Sequence, residues 1–146
     1  MQFVIVGDGE EKKNFIWLAK KMGLDHITWF VGEQAQARKW LESFDVFVAV
    51  NDIFRLPDFD IVLEAMAAGI PALGPQNLGL EEILPQIDNE VFGLFGDNDS
   101  ETLARRIIKL WRDKQLRKKL GILEKEAVEK HFLLEYQAEE FEKLLT

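Results

Sequence analysis

The sequence contains no cysteine, so disulfides, thiolate metal sites and cysteine nucleophiles are excluded. Its two histidines, His26 and His131, lie far apart without an acidic cluster at ligand spacing, and no metal site is expected. No apolar run reaches the roughly 20 residues that a membrane-spanning helix needs. The opening "MQFVIVGDG" also lacks the basic start and long apolar core of a signal peptide, so a cytoplasmic location is expected. Basic charge is scarce too: 18 Lys and Arg stand against 26 Asp and Glu, a formal net charge of −8. Nucleic acid or an anionic membrane would demand a basic face, and this balance argues against either as the main partner. The one locally basic run, "RDKQLRKK" at 112–119, reads as a solvated helix face. Repeats and low-complexity segments are absent as well.

What is present is an alternation of short apolar runs with longer stretches of helical period, the pattern of strands and crossover helices in a parallel sheet. "FVIV" (3–6), closed by Gly7, fits a strand buried on both faces. A helix follows over 10–23, with Phe15, Leu18 and Met22 at helical spacing and Gly23 as its stop. The same reading gives a strand at 26–32, a helix at 33–44 and a strand at 45–50. After a loop at 51–58 come a helix and then the short strand "IPALG", followed by a short helix within 77–87 that Pro85 truncates and a fifth strand at 91–96. Asn98 and Glu101 have capping-box spacing, and Leu103, Ile107, Leu110 and Trp111 mark one apolar face of the helix they open. Two further helical stretches run to Thr146, with breaks expected near Gly121 and Phe132. Trp17, Trp29 and Trp40 are expected to pack in the core.

With 146 residues and 47% hydrophobic content, the chain is expected to be one compact α/β domain. Its architecture is a Rossmann-like, doubly wound parallel sheet over 1–146, with residues from about 115 onward as a helical C-terminal extension. Such sheets bind ligands at the carboxyl ends of their strands, which directs attention to the loops after 6, 31, 50, 74 and 95.

The helix after the third strand is the most informative stretch. Asp58 can cap it, and Phe59, Ile61, Val62, Leu63, Ala65, Met66, Ala67 and Ala68 make it apolar nearly all round, so it is expected to be buried. Glu64 stands in its middle. A buried carboxylate is costly unless it is hydrogen-bonded, paired or open to a ligand. Glu64 therefore either caps a neighbouring loop or pairs with a cation, or it takes hydrogen bonds from a ligand hydroxyl beyond the end of the third strand. The small residues Ala65, Ala67, Ala68 and Gly69 would let neighbouring elements come close.

The stretch "FDIVLEAMAAGIPALG" resembles the core motif E-G-F-G-L-x-x-x-E-A-M-A-x-G-x-P-V of the retaining group 1 glycosyltransferases of the GT-B fold. The similarity runs in register through "VIVGDGEE", "LAKKMGLDHITWFVG", "WLESFDVFVAV", "NLGLEEIL" and "FGLFGDNDSETLARRI". It implies the C-terminal, donor-binding half of such an enzyme, taking a nucleotide-sugar such as a UDP-, GDP- or ADP-sugar as substrate and requiring no further cofactor. It also implies a partner, an N-terminal acceptor-binding domain or subunit. By the same resemblance Glu64 would bind the donor ribose hydroxyls, and a carboxylate can accept from both members of a vicinal diol. The backbone N–H groups around Asp60 and Ile61 would face the diphosphate at a helix N-terminus. Gly7 and Gly9 would let the first loop approach the donor, although "GDG" is equally a tight strand-to-helix turn. Gly79 and Glu82 would match the second glycine and the glutamate of G-G-x-x-E.

The match is incomplete. Leu56 stands where the motif has its first glutamate, Pro57, Asp58 and Phe59 replace Gly-Phe-Gly, and Leu78 replaces the first glycine of G-G-x-x-E. Asp58 and Asp60 would repel a diphosphate unless a cation intervened. The resemblance places the start of the chain at the second strand of the family's C-terminal domain, without the Arg and Lys that usually neutralise the diphosphate. No residue reads as a general base or nucleophile, so no catalytic residue is assigned and the isolated chain is expected not to transfer sugar. A second reading is a non-catalytic relative that keeps the fold as a binding or interaction module. A third, a phospho-acceptor receiver domain with Asp52 ending its strand, lacks that family's acidic pair and lysine.

Overall fold

The computed structural model describes residues 1–34, 37–50, 59–76, 78–87, 90–96, 99–132 and 143. Leu56, Pro57, Asp58 and Asp52 lie outside the described residues. Two compact units form, Met1–Trp40 and Leu41–Thr146.

In the first unit, β1 (Phe3–Val6) has the predicted bounds and pairs in parallel with β2 (Thr28–Gly32). It is not buried on both faces as expected: Phe3 and Val4 are half-buried while Ile5 and Val6 are exposed, because one helix cannot cover both faces of a two-stranded sheet. Phe3 lies opposite Thr28 and Val4 opposite Trp29; an irregularity after Ile5 then brings Val6 opposite Gly32. Between the strands runs α1 (Lys12–Lys21). It stops where the glycine signal predicts: Gly23 adopts φ +69°, its N–H reaching the Lys20 carbonyl, and the Leu24 N–H reaches that of Ala19.

The apolar face of α1 differs from expectation. Ala19 is its one buried residue, while Phe15, Leu18 and Met22 are exposed. Trp17 and Trp29, expected in the core, are 61% and 56% exposed. Two strands and one helix present too little apolar surface to enclose side chains of this size. Trp17 instead carries the Lys21 ammonium over its ring. Trp40, half-buried, donates its indole N–H to Gln34 Oε1 at 3.1 Å. It belongs to α2 (Ala37–Leu41), within which the division between the units falls.

The second unit continues with β3 (Phe47–Val48), α3 (Phe59–Ala67), β4 (Ala72–Pro75) and α4 (Leu78–Ile83). Then follow β5 (Gln86–Ile87), β6 (Glu90–Val91), β7 (Leu94–Phe95), α5 (Ser100–Arg112) and α6 (Lys114–His131). The order β3-β4-β7 is parallel throughout, with Phe47 opposite Ala72 and Gly74 opposite Leu94. The predicted α/β class with parallel pairing is what forms. The predicted fifth strand divides in two, because β6 turns back on β5 as an antiparallel pair and only β7 joins the parallel ladder.

The core of this unit is built by α3 and α6 against the sheet. Val62 and Met66 of α3 join Ala72 of β4, Leu80 of α4 and Val128 of α6 in one buried cluster. Leu110 of α5 and Leu120 of α6 join Leu73 in another. Of the predicted apolar face of α5, Leu110 is fully buried and Trp111 points outward, 52% exposed.

Three helix boundaries correct the sequence reading. The N-cap of α5 is Asp99, whose Oδ1 accepts from the Thr102 N–H at 2.9 Å; the proposed capping residue Asn98 lies outside the described residues. Hydrogen bonds from Thr102, side chain first and then backbone, hold the Asp99 carboxyl below the ordinary carboxylate range. Asp113 both ends α5 and caps α6, accepting from the Leu116 N–H. The expected break near Gly121 does not occur, and α6 runs unbroken to its C-cap at Phe132.

Gly121 serves packing instead. A Cβ there would lie 2.1 Å from the carbonyl oxygen of Gly69, so only glycine lets α6 lie against the turn that closes α3. Gly69 itself needs φ +74° to make that turn, in which its N–H reaches the Met66 carbonyl and the Ile70 N–H that of Ala65.

Candidate functional site

Parallel pairing sends β3, β4 and β7 toward one carboxyl edge, and α3 and α4 start after the carboxyl ends of β3 and β4 respectively. This is the edge at which such sheets hold ligands. On α3, Val62, Ala65 and Met66 face inward and are buried, whereas Asp60, Glu64 and Ala67 are exposed and Ile61 is half-buried. The expectation of a helix buried all round is therefore corrected: residues 60, 64 and 67, spaced four and three apart, form an open stripe. Glu64 lies in that stripe with no hydrogen-bond or ion-pair partner for its carboxylate among the described residues. Neither the loop cap nor the cation partner considered from sequence is found there. Of the small residues beside it, Ala65 is buried and Gly69 meets α6, while Ala67 and Ala68 are exposed.

Close approach positions α4. A Cβ on Gly74 would lie 2.5 Å from Leu80 Cδ1, so the glycine in β4 lets the fully buried Leu80 seat α4 directly on the strand. Gly79 precedes Leu80 in the first part of α4, Glu82 is exposed, and the helix ends at Ile83, two residues before Pro85. Asp60 and Glu64 on α3, with Glu81 and Glu82 on α4, make these two helices acidic, and neither carries a basic residue. The N-terminal backbone of α3 is their positive feature.

The first unit places Gly7 and Gly9 in the loop after β1. Gly7, at φ +131°, extends the ladder by donating its N–H to the Gly32 carbonyl at 2.8 Å. A Cβ on either Gly7 or Gly9 would meet no atom within 4 Å, so the surroundings of this loop are open. Sequence reading passed over Asp8. Its Oδ1 accepts from the Gly9 N–H and its Oδ2 lies 3.1 Å from Lys12 Nζ. The hydrogen bond from Lys12 leads in holding the Asp8 carboxyl below its ordinary range. The spacing of four between Asp8 and Lys12 at a helix start was the available signal.

Sequence reading also missed Glu124, a fully buried acid on α6. The signal was the stripe Leu116, Leu120, Glu124 and Val128, where an acid interrupts apolar residues at four-residue spacing. Among the described residues no group of three or more His, Cys, Asp or Glu could hold a metal ion. No helix of the described residues is long and apolar enough to cross a membrane.

Comparison with known proteins decides the family. Residues 1–113 match the family model described as glycosyl transferases group 1. The chain belongs to the group 1 glycosyltransferases. Among curated relatives, it is 27% identical over 143 residues to the N-acetyl-alpha-D-glucosaminyl L-malate synthase of Bacillus anthracis, covering 97% of this chain and 36% of that protein. It is 32% identical over 118 residues to the lipopolysaccharide core biosynthesis glycosyltransferase LpsE of Rhizobium meliloti, covering 80% of this chain and 33% of that one. The chain thus spans about a third of the length of these curated relatives.

Among solved structures, that of TarM superposes with a TM-score of 0.78 at 18% identity, over 99% of this chain and 28% of its own. A mutant TarM from S. aureus, in complex with Fondaparinux, alpha-GlcNAc-glycerol and UDP, gives 0.79 at 18% identity over 99% and 29%. These two likenesses concern the fold, and they agree with the GT-B glycosyltransferase domain that the motif resemblance implies.

Proposed function

We propose that this group 1 glycosyltransferase chain is the nucleotide-sugar donor-binding part of its enzyme. The observation that carries the reading is Glu64, a carboxylate without a partner among the described residues, on the open stripe of α3, the helix that follows the carboxyl end of β3. In that role Glu64 accepts hydrogen bonds from the two ribose hydroxyls, each a neutral donor to a charged acceptor. The α3 backbone at Asp60 and Ile61 takes the diphosphate. Gly79 and Glu82 on α4 lie toward the sugar. Gly7 and Gly9, in a loop open enough to admit a ligand, belong to the same donor role in the family motif.

The acidic composition of α3 and α4 sets a condition. Coulomb repulsion between these carboxylates and a diphosphate requires cationic groups from elsewhere, and an acceptor-binding domain or subunit is the proposed source. The chain itself supplies donor binding and no transfer chemistry. The work proposed for it is cytoplasmic. A second reading rests on Leu56, an apolar residue where the motif glutamate belongs: a relative that keeps the fold and has lost part of its donor site.

Calorimetric titration of the purified chain with UDP, GDP and ADP separates the two. The first reading predicts saturable binding of one nucleotide and a raised thermal midpoint in its presence, since a ligand specific for the folded state stabilises it. Silence from all three contradicts it and favours the second.

A further inference from the structure

Glu124 is fully buried, and its two oxygens differ. Oε2 accepts a hydrogen bond from the Ala72 N–H at 2.8 Å, while Oε1 has no hydrogen-bond partner. The position of Ala72 in the sheet accounts for the contact. The Gly74 N–H donates to the Gly93 carbonyl and the Gln76 N–H to that of Phe95, so alternate N–H groups of β4 point toward β7. Ala72 comes two residues earlier in that series, and the β7 ladder begins only at Gly74 opposite Leu94. A side-chain carboxyl from α6 thus occupies the place of a strand carbonyl. Three residues before it on α6, Gly121 rests on the Gly69 turn, so one helical turn of α6 contacts both the end of α3 and the start of β4.

Among the described residues no charge compensates this carboxyl. Its neighbours at four-residue spacing on α6 are Leu120 and Val128, both buried and apolar. Asp60 and Glu64 of α3 and Glu81 and Glu82 of α4 are exposed, and none is bonded to Glu124. On α5, Lys109 and Arg112 are exposed, and Arg106 donates to the carbonyls of Val91 and Phe92. On α6 itself Lys125 and Glu126 point to solvent. The described parts of β4 and β7 bring no titratable side chain.

We propose that Glu124 is a pH-sensitive latch: as a neutral carboxylic acid it ties α6 to the first residue of β4, and loss of its proton loosens α6 from the α3–β4 turn. The proton resides on Oε1, leaving Oε2 as the acceptor that Ala72 uses, and ionisation passes it to solvent. The carboxylate that remains is buried with one hydrogen bond and no cation.

Burial raises this carboxyl to about 8, and the Ala72 hydrogen bond offsets only part of that rise. The sign follows from linkage. From the unfolded value of 4.5 up to about 8, the folded chain holds a proton that the unfolded chain has released, so stability is greatest below 4.5 and falls as pH rises to about 8.

Two measurements test the latch. The first follows unfolding by urea across that pH window for the parent and for Glu124→Gln, which keeps the carbonyl acceptor and cannot ionise. The parent is expected to lose about tenfold in folding equilibrium constant per pH unit relative to the variant. Parallel profiles would overturn the proposal. The second needs no variant: the side-chain carboxyl carbon resonance of Glu124 in the folded parent should titrate with a midpoint near 8. A midpoint at the ordinary 4.5 would overturn the proposal even if the variant failed to fold.

Discussion

Gly121→Ala is expected to lower the thermal and urea midpoints of the chain sharply. In an ordinary helix interior the same change stabilises by about 1 kcal/mol, because glycine loses more backbone freedom on folding than alanine. Here the added methyl would stand 2.1 Å from the Gly69 carbonyl oxygen, and 2.9 Å from its carbon, so backbone rather than a flexible side-chain end must yield. Overpacking of this kind costs about 3 kcal/mol, which exceeds the propensity gain and reverses its sign. The net loss of about 2 kcal/mol corresponds to roughly 4–8 °C in Tm for a chain of this length. Gln115→Ala, at an exposed position on the same helix, serves as the control and should move the midpoint little. A stabilised Gly121→Ala protein would mean that α6 does not rest on the α3 turn.

Glu64→Ala has its effect on a different quantity. It should reduce affinity for the nucleotide that the parent binds by about tenfold or more, because a charge-assisted hydrogen bond to a ligand contributes about 1.5–3 kcal/mol. Stability should change by no more than about 0.5 kcal/mol, since Glu64 is exposed and has no partner to lose among the described residues. Calorimetry and thermal unfolding on the same two preparations read both quantities. A variant that binds as the parent does would remove Glu64 from the site. One that lost binding and stability together would make it a structural residue instead.

Much of the fold was legible because its signals are local. "FVIV" closed by glycine became β1 with the predicted bounds, and Gly23 stopped α1 where its conformational freedom is needed. The motif helix formed as α3, and the family match extends over residues 1–113. What escaped depends on contacts distant in sequence. Gly121 looks like a helix break until Gly69 is placed against it, and Glu124 looks like one more solvated acid until Ala72 is. The exposed aromatics failed differently, because composition records that Trp17 and Trp29 are apolar and not how much surface the local elements can offer them.

The helices that carry the candidate residues were legible in the sequence, and the surroundings of those residues were not. Periodicity gave α3 an almost continuous apolar circumference, whereas the folded helix buries Val62, Ala65 and Met66 and leaves Asp60 and Glu64 open. Alanine is compatible with either face, so the signal that separates them is the pair of acids Asp60 and Glu64, four residues apart on one side of the helix. Gly74 illustrates the converse: an unremarked residue of "IPALG" lets Leu80 bring α4 onto the strand, and with it Gly79 and Glu82.

The most direct test of the account is a nucleotide titration followed at individual backbone amides, with UDP, GDP and ADP in turn. Donor binding predicts that one nucleotide shifts the amides of Asp60, Ile61 and Glu64 on α3 and of Gly79 and Glu82 on α4, with α5 and α6 little changed. Perturbation confined to α5 and α6, or none from any nucleotide, would contradict it.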